Sequence, residues 1–248
     1  MVPVAAEDAV AEMVPDHDGG ALVVAIDGPS GVGKSTVAKR LAERLGLPTL
    51  DTGAMYRALG LKVLEAGIDP ADREAVQRMA EATDVDVELV EGKLQVLLED
   101  QPVGDRIRRH AVSEVTSQIS TIPEVRRRMV DLQRRAGRRH GAVVEGRDIG
   151  TVVFPDTPYK FFLRARVEVR AERRWRELEA RGQILDREEL QRDLERRDAR
   201  DSQRSAAPLR YDETYRVVDT SDHSIDEVVA QLDAAVRQRL TDPTGGND

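Results

Sequence analysis

Short runs of apolar residues alternate along the chain with segments in which apolar positions recur every three or four residues. The runs have the β-branched composition of strands buried on both faces, and five are predicted strands: 22–26, 47–50, 142–145, 159–163 and 217–219. The helical spacing predicts α-helices over 34–45, 54–65, 110–121 and 123–138, and a last amphipathic helix around 228–236. Strands separated by helices indicate a parallel five-stranded sheet with helices on both faces.

The period of the pattern changes between residues 83 and 105. Apolar residues at 85, 87 and 89 alternate with acidic ones, and the alternation resumes at 94, 96 and 98 after a turn at Glu91-Gly92-Lys93. This pattern predicts a small antiparallel β region inserted into the helix-and-strand chain.

Composition and charge limit what such a fold can do. The 248 residues carry 38 Lys plus Arg, 46 Asp plus Glu and no cysteine, which excludes disulfides and cysteine nucleophiles. The formal charge of -8 argues against general nucleic-acid binding, which needs a basic surface. No apolar run approaches the ~18 residues of a membrane span, and the first residues lack a secretory signal. We therefore expect a cytoplasmic protein with no nucleic-acid or membrane partner.

The segment from Gly28 to Ser35 has the pattern Gly-x-x-x-x-Gly-Lys-Ser and lies between a predicted strand and a predicted helix. Glycines let the backbone turn its N–H groups toward a phosphate, and the helix adds its positive end. Lys34 can reach the β- and γ-phosphates, and the Ser35 hydroxyl can ligate Mg²⁺. The motif predicts a nucleoside triphosphate site and is silent about the reaction. The predicted ATP-binding residues are Gly28, Pro29, Ser30, Gly31, Val32, Gly33, Lys34, Ser35 and Thr36.

Two later segments also leave the ends of predicted strands. Residues 50–57 place Thr52 and Arg57 at the edge of the sheet, and residues 144–151 place Arg147 there. Each arginine alone is typical of an ordinary cap or ion pair. Beside a triphosphate loop, two guanidinium groups facing one cleft favour an anionic acceptor, because guanidinium binds phosphate or carboxylate bidentately.

The stretch 164–204 holds 13 Arg and 11 Asp plus Glu with almost no apolar stripe. One interpretation is a pair of solvated helices held by charge pairs four residues apart. A second is a lid whose arginines fold over the transferring phosphoryl group and exclude water. The four histidines are scattered without metal-ligand spacing and receive no role.

Four segments together resemble the bacterial cytidylate kinases, P-loop nucleoside monophosphate kinases: Ile26 to Ser35, Leu50 to Arg57, Glu145 to Pro155, and Arg197 to Leu209. The resemblance covers about residues 22–240. It implies transfer of the ATP γ-phosphoryl group to CMP or dCMP with Mg²⁺ as cofactor, and a protein that acts as a monomer. The implied fold is a P-loop NTPase-type parallel five-stranded sheet with helices on both faces, an inserted antiparallel β monophosphate-binding region and a helical lid.

The resemblance also implies roles for individual residues. Arg57, Arg147 and Arg204 would hold the acceptor phosphate, with Lys34, Arg147 and Arg204 as the catalytic cations. Ser117, Arg126 and Asp148 would recognise cytosine, whose exocyclic amine is a donor where uracil presents an oxygen. Arg197 and Asp201 would contact the sugar, with Thr52 close by. Ser35 would hold Mg²⁺ together with phosphates and water, and either Glu145 or Asp148 would orient the shell of the ion.

The acidic, Pro- and Gly-interrupted composition of residues 1–20 predicts a disordered lead, and the Pro- and Gly-rich composition from Thr241 predicts a flexible tail over 241–248. The resemblance implies a single domain over 21–240. Within the domain, the core would comprise 21–66, 140–163 and 210–240, the monophosphate-binding region about 67–125 with its β insert at about 83–105, and the lid about 164–204.

Two other functions fit parts of the pattern. The first is a P-loop kinase with a different acceptor, such as UMP, AMP or shikimate. The second is a nucleotide-dependent switch or nucleic-acid-associated ATPase that binds through the arginine-rich stretch, although the near balance of charge in that stretch opposes it.

Overall fold

The computed structural model describes residues 20–90, 92–180, 182, 186–204 and 206–242. In chain order the elements are β1 (Val23–Asp27), α1 (Lys34–Leu45), β2 (Thr49–Asp51), α2 (Thr52–Glu65), α3 (Arg73–Ala82), β3 (Val85–Val90), β4 (Lys93–Leu98), β5 (Gln101–Pro102), α4 (His110–Ile119), α5 (Pro123–His140), β6 (Ala142–Gly146), β7 (Lys160–Arg164), α6 (Val167–Glu179), α7 (Arg187–Gln203), β8 (Arg216–Asp219) and α8 (Ile225–Thr241). A 3₁₀ turn at Gly104–Arg108 precedes α4, and a π turn at Ile149–Val153 follows β6.

The main sheet has five parallel strands in the order β2-β6-β1-β7-β8. Because successive side chains of a strand point to opposite faces, β1 contributes to two cores. Val24 and Ile26 pack on the side of α1 and α8, and Val23 and Ala25 pack on the side of α2, α4 and α5. The predicted parallel sheet with helices on both faces is confirmed.

The predicted antiparallel insert is also confirmed. β3 and β4 pair in register from Val85 with Leu98 to Val90 with Lys93, and the apolar side of the pair joins the core beside α2. The structure adds β5, a third strand of two residues that contains Pro102. It is too short to show the alternation of apolar and polar residues that predicts a strand. It also adds α3, whose buried positions are Val76 and Ala80 alone, which is too few to predict a helix.

The arginine-rich stretch forms two helices, α6 and α7, that pack on each other. Leu178, Leu190 and Leu194 are buried there although no apolar stripe marks them. Arg170 of α6 is buried as well and donates to the Asp198 carboxylate of α7 at 2.6 Å and to the Ser30 carbonyl at 3.1 Å. These bonds fasten the helix pair to the segment that follows β1.

Some predictions fall on parts of the chain that the structure does not describe. The disordered lead over 1–20 lies outside the described residues apart from Gly20, and so do residues 243–248 of the predicted tail. α8 reaches Thr241, the first residue of that tail. Within the described ranges, no helix combines the length and apolar composition needed to cross a membrane.

Gly28, the residue after β1, lies against the backbone of β7. Its φ of 151° is in the region that L side chains rarely adopt. A Cβ at this position would stand 2.2 Å from the carbonyl oxygen of Leu163, which belongs to the strand backbone and cannot turn away. Glycine is therefore needed here for the chain to leave the sheet where it does.

We predict that Gly28→Ala lowers the free energy of unfolding by at least about 3 kcal/mol, because the methyl group would force β1 and β7 apart. The matched control is Gly67→Ala, where φ is also positive, at 66°, but the Cβ would meet nothing within 4 Å. That control should lose about 1 kcal/mol through backbone strain alone. Urea unfolding of both variants measures the difference, and equal losses would contradict the packing argument.

Candidate active site

A cleft of about 730 Å³ opens at the carboxyl ends of the parallel strands, where ligands of such sheets bind. All nine residues that the resemblance assigned to the acceptor line this cleft: Thr52, Arg57, Ser117, Arg126, Arg147, Asp148, Arg197, Asp201 and Arg204. Six residues of the phosphate motif line it too: Ser30, Gly31, Gly33, Lys34, Ser35 and Thr36. The structure thus brings both predicted sets together.

The other three residues of the phosphate motif do not line the cleft. Gly28 packs on the backbone of β7, and Val32 is fully buried in the core beneath α1. Pro29 contributes its carbonyl oxygen, which accepts a hydrogen bond from Lys34 Nζ at 2.7 Å. These three residues shape the loop.

The loop itself meets the requirements of an anion site. Gly31 and Gly33 have φ values of 81° and 93°, which only glycine adopts without cost, and α1 begins at the next residue, Lys34. The loop therefore presents backbone N–H groups and the positive end of a helix to the cleft. A phosphate placed there would also meet the Lys34 side chain.

Lys34 is buried next to another cation. Burial and repulsion by the Arg147 guanidinium lower the pKa of Lys34 to about 7, against the attraction of Glu145, Asp27 and Asp201. The negative charge around an ammonium group in this position is too small to offset its own positive charge. An arriving phosphate supplies the missing negative charge and favours the protonated form.

Oxygen ligands for a divalent cation gather beside Lys34. Ser35 lies at the start of α1, close enough to the Glu145 carboxylate to lower its pKa, although burial and nearby Asp51 raise that pKa overall. All three side chains line the cleft. Among the residues that the structure describes, no cluster of three or more His, Cys, Asp or Glu forms a metal cage. One hydroxyl and two carboxylates nevertheless fit Mg²⁺, which takes few protein ligands and keeps its waters and substrate phosphates.

Asp148 is not placed to share that role. Its carboxylate forms an ion pair with Arg126, and Arg204 Nη2 lies 3.5 Å from its other oxygen. All three side chains are at most 8% exposed. Of the two acids considered from the sequence, Glu145 is the one beside the predicted Mg²⁺ ligand Ser35.

The start of α2 places the first acceptor residues. Asp51 caps the helix by accepting from the Ala54 N–H at 2.8 Å, and its second oxygen accepts from Arg57 Nη2 at 2.8 Å. The Thr52 hydroxyl donates to the Glu145 carbonyl at 2.6 Å, which joins the helix to β6. Arg57 thus leans over the cleft, held by one partly exposed carboxylate.

Arg147 and α7 supply the opposite wall. Arg147 Nε donates to Asp201 at 2.8 Å, and although burial works to raise the pKa of Asp201, Arg147 and Arg204 hold it below its usual range. Burial and Arg147 lower the pKa of Arg197 to about 10. Arg204 Nη2 is buried without a hydrogen-bond partner among the described residues. This wall therefore offers guanidinium donors that an added anion can accept from.

Ser117 lies on α4, across the cleft from β6. Its hydroxyl oxygen accepts from Arg200 Nη1 of α7 at 2.5 Å. Arg126 donates to the Ser120 carbonyl at 3.3 Å as well as to Asp148, and its guanidinium lies 5.9 Å from the centre of the Tyr56 ring. The three residues predicted for cytosine thus lie in one part of the cleft and are held by neighbours from α2 and α7.

Sequence reasoning missed several lining residues, among them Arg108, Arg173 and Arg174. Arg173 donates to the Thr220 carbonyl at 2.6 Å, and the Thr220 hydroxyl donates to the Val32 carbonyl at 3.0 Å. These bonds tie α6 to the phosphate loop. Nothing in the sequence separates Arg173 and Arg174 from the other arginines of their stretch.

The charge of the cleft is opposite to that of the chain. Over the described residues, nine cationic side chains line the cleft against five carboxylates, an excess of four positive charges in a chain of formal charge -8. The cations lie at the phosphate loop, on α2, α5, α6 and α7, in the loop after β6 and, through Arg108, in the 3₁₀ turn before α4. Fold and site together define a P-loop protein of the phosphotransferase class.

Sequence comparison supplies the family. The profile of the family described as Cytidylate kinase matches residues 24–238. A cytidylate kinase of Mycolicibacterium paratuberculosis is 48% identical over 219 residues, which are 88% of this chain and 96% of that protein. One from Caldicellulosiruptor bescii is 44% identical over 209 residues, 84% of this chain and 92% of that protein. The chain belongs to the cytidylate kinase family, and the resemblance seen in the motifs is confirmed.

A solved structure of an uncharacterized protein from Eubacterium ventriosum shares the fold. It aligns with a TM-score of 0.50 and 14% sequence identity, over 88% of this chain and 99% of that one. This likeness concerns the fold alone.

We predict that ATP binding takes up close to one proton at pH 8, where terminal phosphates, with a pKa of about 6, are already ionised. Lys34, with its pKa lowered to about 7, is mostly neutral at pH 8 and regains its proton beside the phosphates. Toward pH 6 the lysine is already charged, so the uptake should vanish. Calorimetric titration in buffers of different ionisation enthalpy measures the proton count.

The matched control for this measurement is Lys34→Arg, because guanidinium stays charged at every accessible pH. It should bind ATP at pH 8 without proton uptake. Equal uptake by the two proteins would show that another group takes the proton.

Proposed function

We propose that this chain transfers the γ-phosphoryl group of ATP to CMP or dCMP, giving CDP or dCDP and ADP. One observation carries the proposal: the excess of positive charge in a single cleft, divided between the phosphate loop and a wall of arginines. Family membership directs the proposal to cytidine monophosphates, since the relatives are named cytidylate kinase.

ATP binds at the phosphate loop, with the β- and γ-phosphates against Lys34 and the start of α1. Ser35 would hold Mg²⁺ together with phosphates and water, and Glu145, which lies beside Ser35, would orient that shell. The ion, when bound, neutralises phosphate charge.

The acceptor phosphate lies between Arg57, Arg147 and Arg204. Two ion pairs support this placement. Asp51 holds the Arg57 side chain and Asp201 holds the Arg147 side chain, and both arginines still line the cleft. Support also comes from Arg204, whose buried Nη2 is a donor with no hydrogen-bond partner among the described residues. A phosphate group satisfies these guanidinium donors better than two separate carboxylates do. Its oxygens can accept hydrogen bonds from several guanidinium groups at once.

Ser117, Arg126 and Asp148 read the base. The Asp148 carboxylate can accept from the exocyclic amine of cytosine, whereas uracil would present an oxygen to it. Arg197 and Asp201, with Thr52 nearby, contact the sugar. These six residues line the same cleft as the residues proposed for the phosphate.

The reaction needs no general base, because the acceptor phosphate is already an anion. Rate enhancement comes from alignment of the two substrates and from charge neutralisation by Lys34, the metal and the arginines. The helix pair α6–α7 acts as the lid, since Arg173 and Arg174 reach the cleft from α6. The division into core, monophosphate-binding region and lid, and the monomeric state, belong to this proposal.

We predict that ADP release in a coupled assay is fastest with CMP or dCMP and at least about tenfold slower, in kcat/KM, with UMP or AMP. The reason is the mismatch between uracil and an accepting carboxylate, which leaves buried polar groups unpaired. Shikimate and single-stranded RNA are tested in the same assay in place of the nucleoside monophosphate. Preference for shikimate, or ATP hydrolysis stimulated by RNA without an acceptor, would favour the two other functions considered from the sequence.

We predict that Lys34→Ala lowers kcat by about 10²–10⁴-fold with an unchanged unfolding midpoint, because a cation on the transferred group is lost. Arg40→Ala is the matched control: Arg40 also lies on α1 but pairs with Asp226, outside the cleft. It should keep natural kcat. Near-natural turnover in Lys34→Ala would exclude the loop as the phosphate site.

A further inference from the structure

Asp27 is a buried carboxylate to which the proposed reaction assigns no task. It is the last residue of β1, and it is 0% exposed. Its two oxygens accept three hydrogen bonds: from the Ile149 N–H at 2.9 Å, from the Gly150 N–H at 3.0 Å and from the Tyr215 hydroxyl at 2.8 Å. A buried charge is costly unless its lone pairs are matched by donors, and here three donors converge on one group.

The two amides belong to the π turn Ile149–Val153, which starts directly after Asp148. The other end of this turn is held from α5, where Arg134 donates to the Val153 carbonyl at 2.9 Å and to the Val152 carbonyl at 2.7 Å. A carboxylate thus binds the N–H end of the turn and a guanidinium binds its carbonyl end, which matches the dipole of the turn. The turn is fixed at both ends.

Tyr215 is itself held in place. Its ring meets Phe162 edge to face, with centroids 6.4 Å apart, and Lys160 Nζ lies 5.9 Å from the ring centre. A Cβ on Gly150 would stand 2.6 Å from the Tyr215 hydroxyl oxygen, so the turn rests directly on this side chain. Burial and the neighbouring Asp27 raise the pKa of Tyr215, which keeps its hydroxyl a donor.

We infer that Asp27 and Tyr215 are positioning residues for the acceptor. The main chain of Asp27 continues into the phosphate loop at Gly28, while its side chain holds the turn behind Arg147 and Asp148. One residue therefore sets the distance between the donor loop and the acceptor loop. The inference rests on the proposed function, because it takes Arg147 and Asp148 as acceptor ligands.

Such spacing matters for an in-line transfer. A displacement of about 1 Å between reacting groups can cost about 10² in rate even when the change lies away from the reacting atoms. Loss of the Tyr215 hydroxyl would leave the carboxylate one donor short and loosen the turn, whereas the phosphate loop keeps its own bonds. Acceptor binding should therefore suffer and ATP binding should not.

The test is Tyr215→Phe, which removes one hydroxyl and keeps the ring that packs on Phe162. With CMP and ATP varied in turn, we expect the KM for CMP to rise about three- to tenfold, the range of a typical lost hydrogen bond. The KM for ATP should stay within about twofold. Tyr211→Phe is the matched control, since Tyr211 packs on the same Phe162, with centroids 4.6 Å apart, and is exposed. It should leave both KM values unchanged.

Asp27→Asn supplies a second variant with a larger expected effect, because an amide places a donor against one of the backbone N–H groups. Hydrogen exchange over residues 146–153 supplies a readout that does not depend on turnover. Exchange should be faster in Tyr215→Phe and Asp27→Asn and unchanged in Tyr211→Phe.

Four results would overturn the inference. An unmoved KM for CMP in Tyr215→Phe, or unaltered exchange over 146–153, would show that the hydroxyl does not hold the turn. A parallel rise of both KM values with a lowered unfolding midpoint would show a structural role only. If the unsubstituted protein fails to phosphorylate CMP, the proposed function is refuted and this inference with it. That result is distinct from one in which the unsubstituted protein is active and Tyr215→Phe keeps its KM for CMP.

Discussion

The parallel pairing of β1 with β6 is the constraint on which the cleft depends. In this register Asp27 lies beside Gly146, so the phosphate loop and the Arg147–Asp148 loop leave neighbouring strands at the same level. Adjacent strands are about 4.8 Å apart, which puts the phosphate loop and the proposed acceptor loop within the span of a phosphoryl transfer. The close approach of Gly28 to β7 and the hydrogen bonds of Asp27 keep the two loops at the same height along the strands.

Electrostatics explains why the cleft is stable before substrates bind. Arginines that face one another repel, and the carboxylates of Asp51, Asp148 and Asp201 offset this by pairing with Arg57, Arg126 and Arg147. Burial first, and then repulsion by Arg147, lower the pKa values of Lys34 and Arg197, so the compensation is incomplete. Anionic substrates complete it, so the same charges that weaken the free cleft favour binding of two phosphate-bearing molecules.

The sequence predicted those parts of the molecule that local pattern determines. Buried strands such as 22–26 and 142–145 are continuous apolar runs, and the phosphate loop has a motif whose glycines follow from its geometry. The sequence did not predict α3 and β5, because α3 buries only Val76 and Ala80 and β5 has only two residues. The residues proposed for the acceptor were assigned through resemblance, since single arginines have no local signature.

The role of Asp27 lies beyond any local pattern. Its partners Ile149 and Tyr215 are 122 and 188 positions away along the chain, and only the folded sheet brings them together. Arg170 is similar, because its bond to the Ser30 carbonyl spans 140 positions. Residues that act through tertiary contacts of this kind require the structure, whereas residues that define a loop can be recognised in the sequence.

A crystal structure with CMP and a non-hydrolysable ATP analogue tests the central claim most directly. The account predicts both nucleotides in the one cleft, the triphosphate on Lys34 and the CMP phosphate between Arg57 and Arg147, with the pyrimidine beside Asp148. A pyrimidine nucleotide bound outside the crevice that Arg57 and Arg147 share would contradict it.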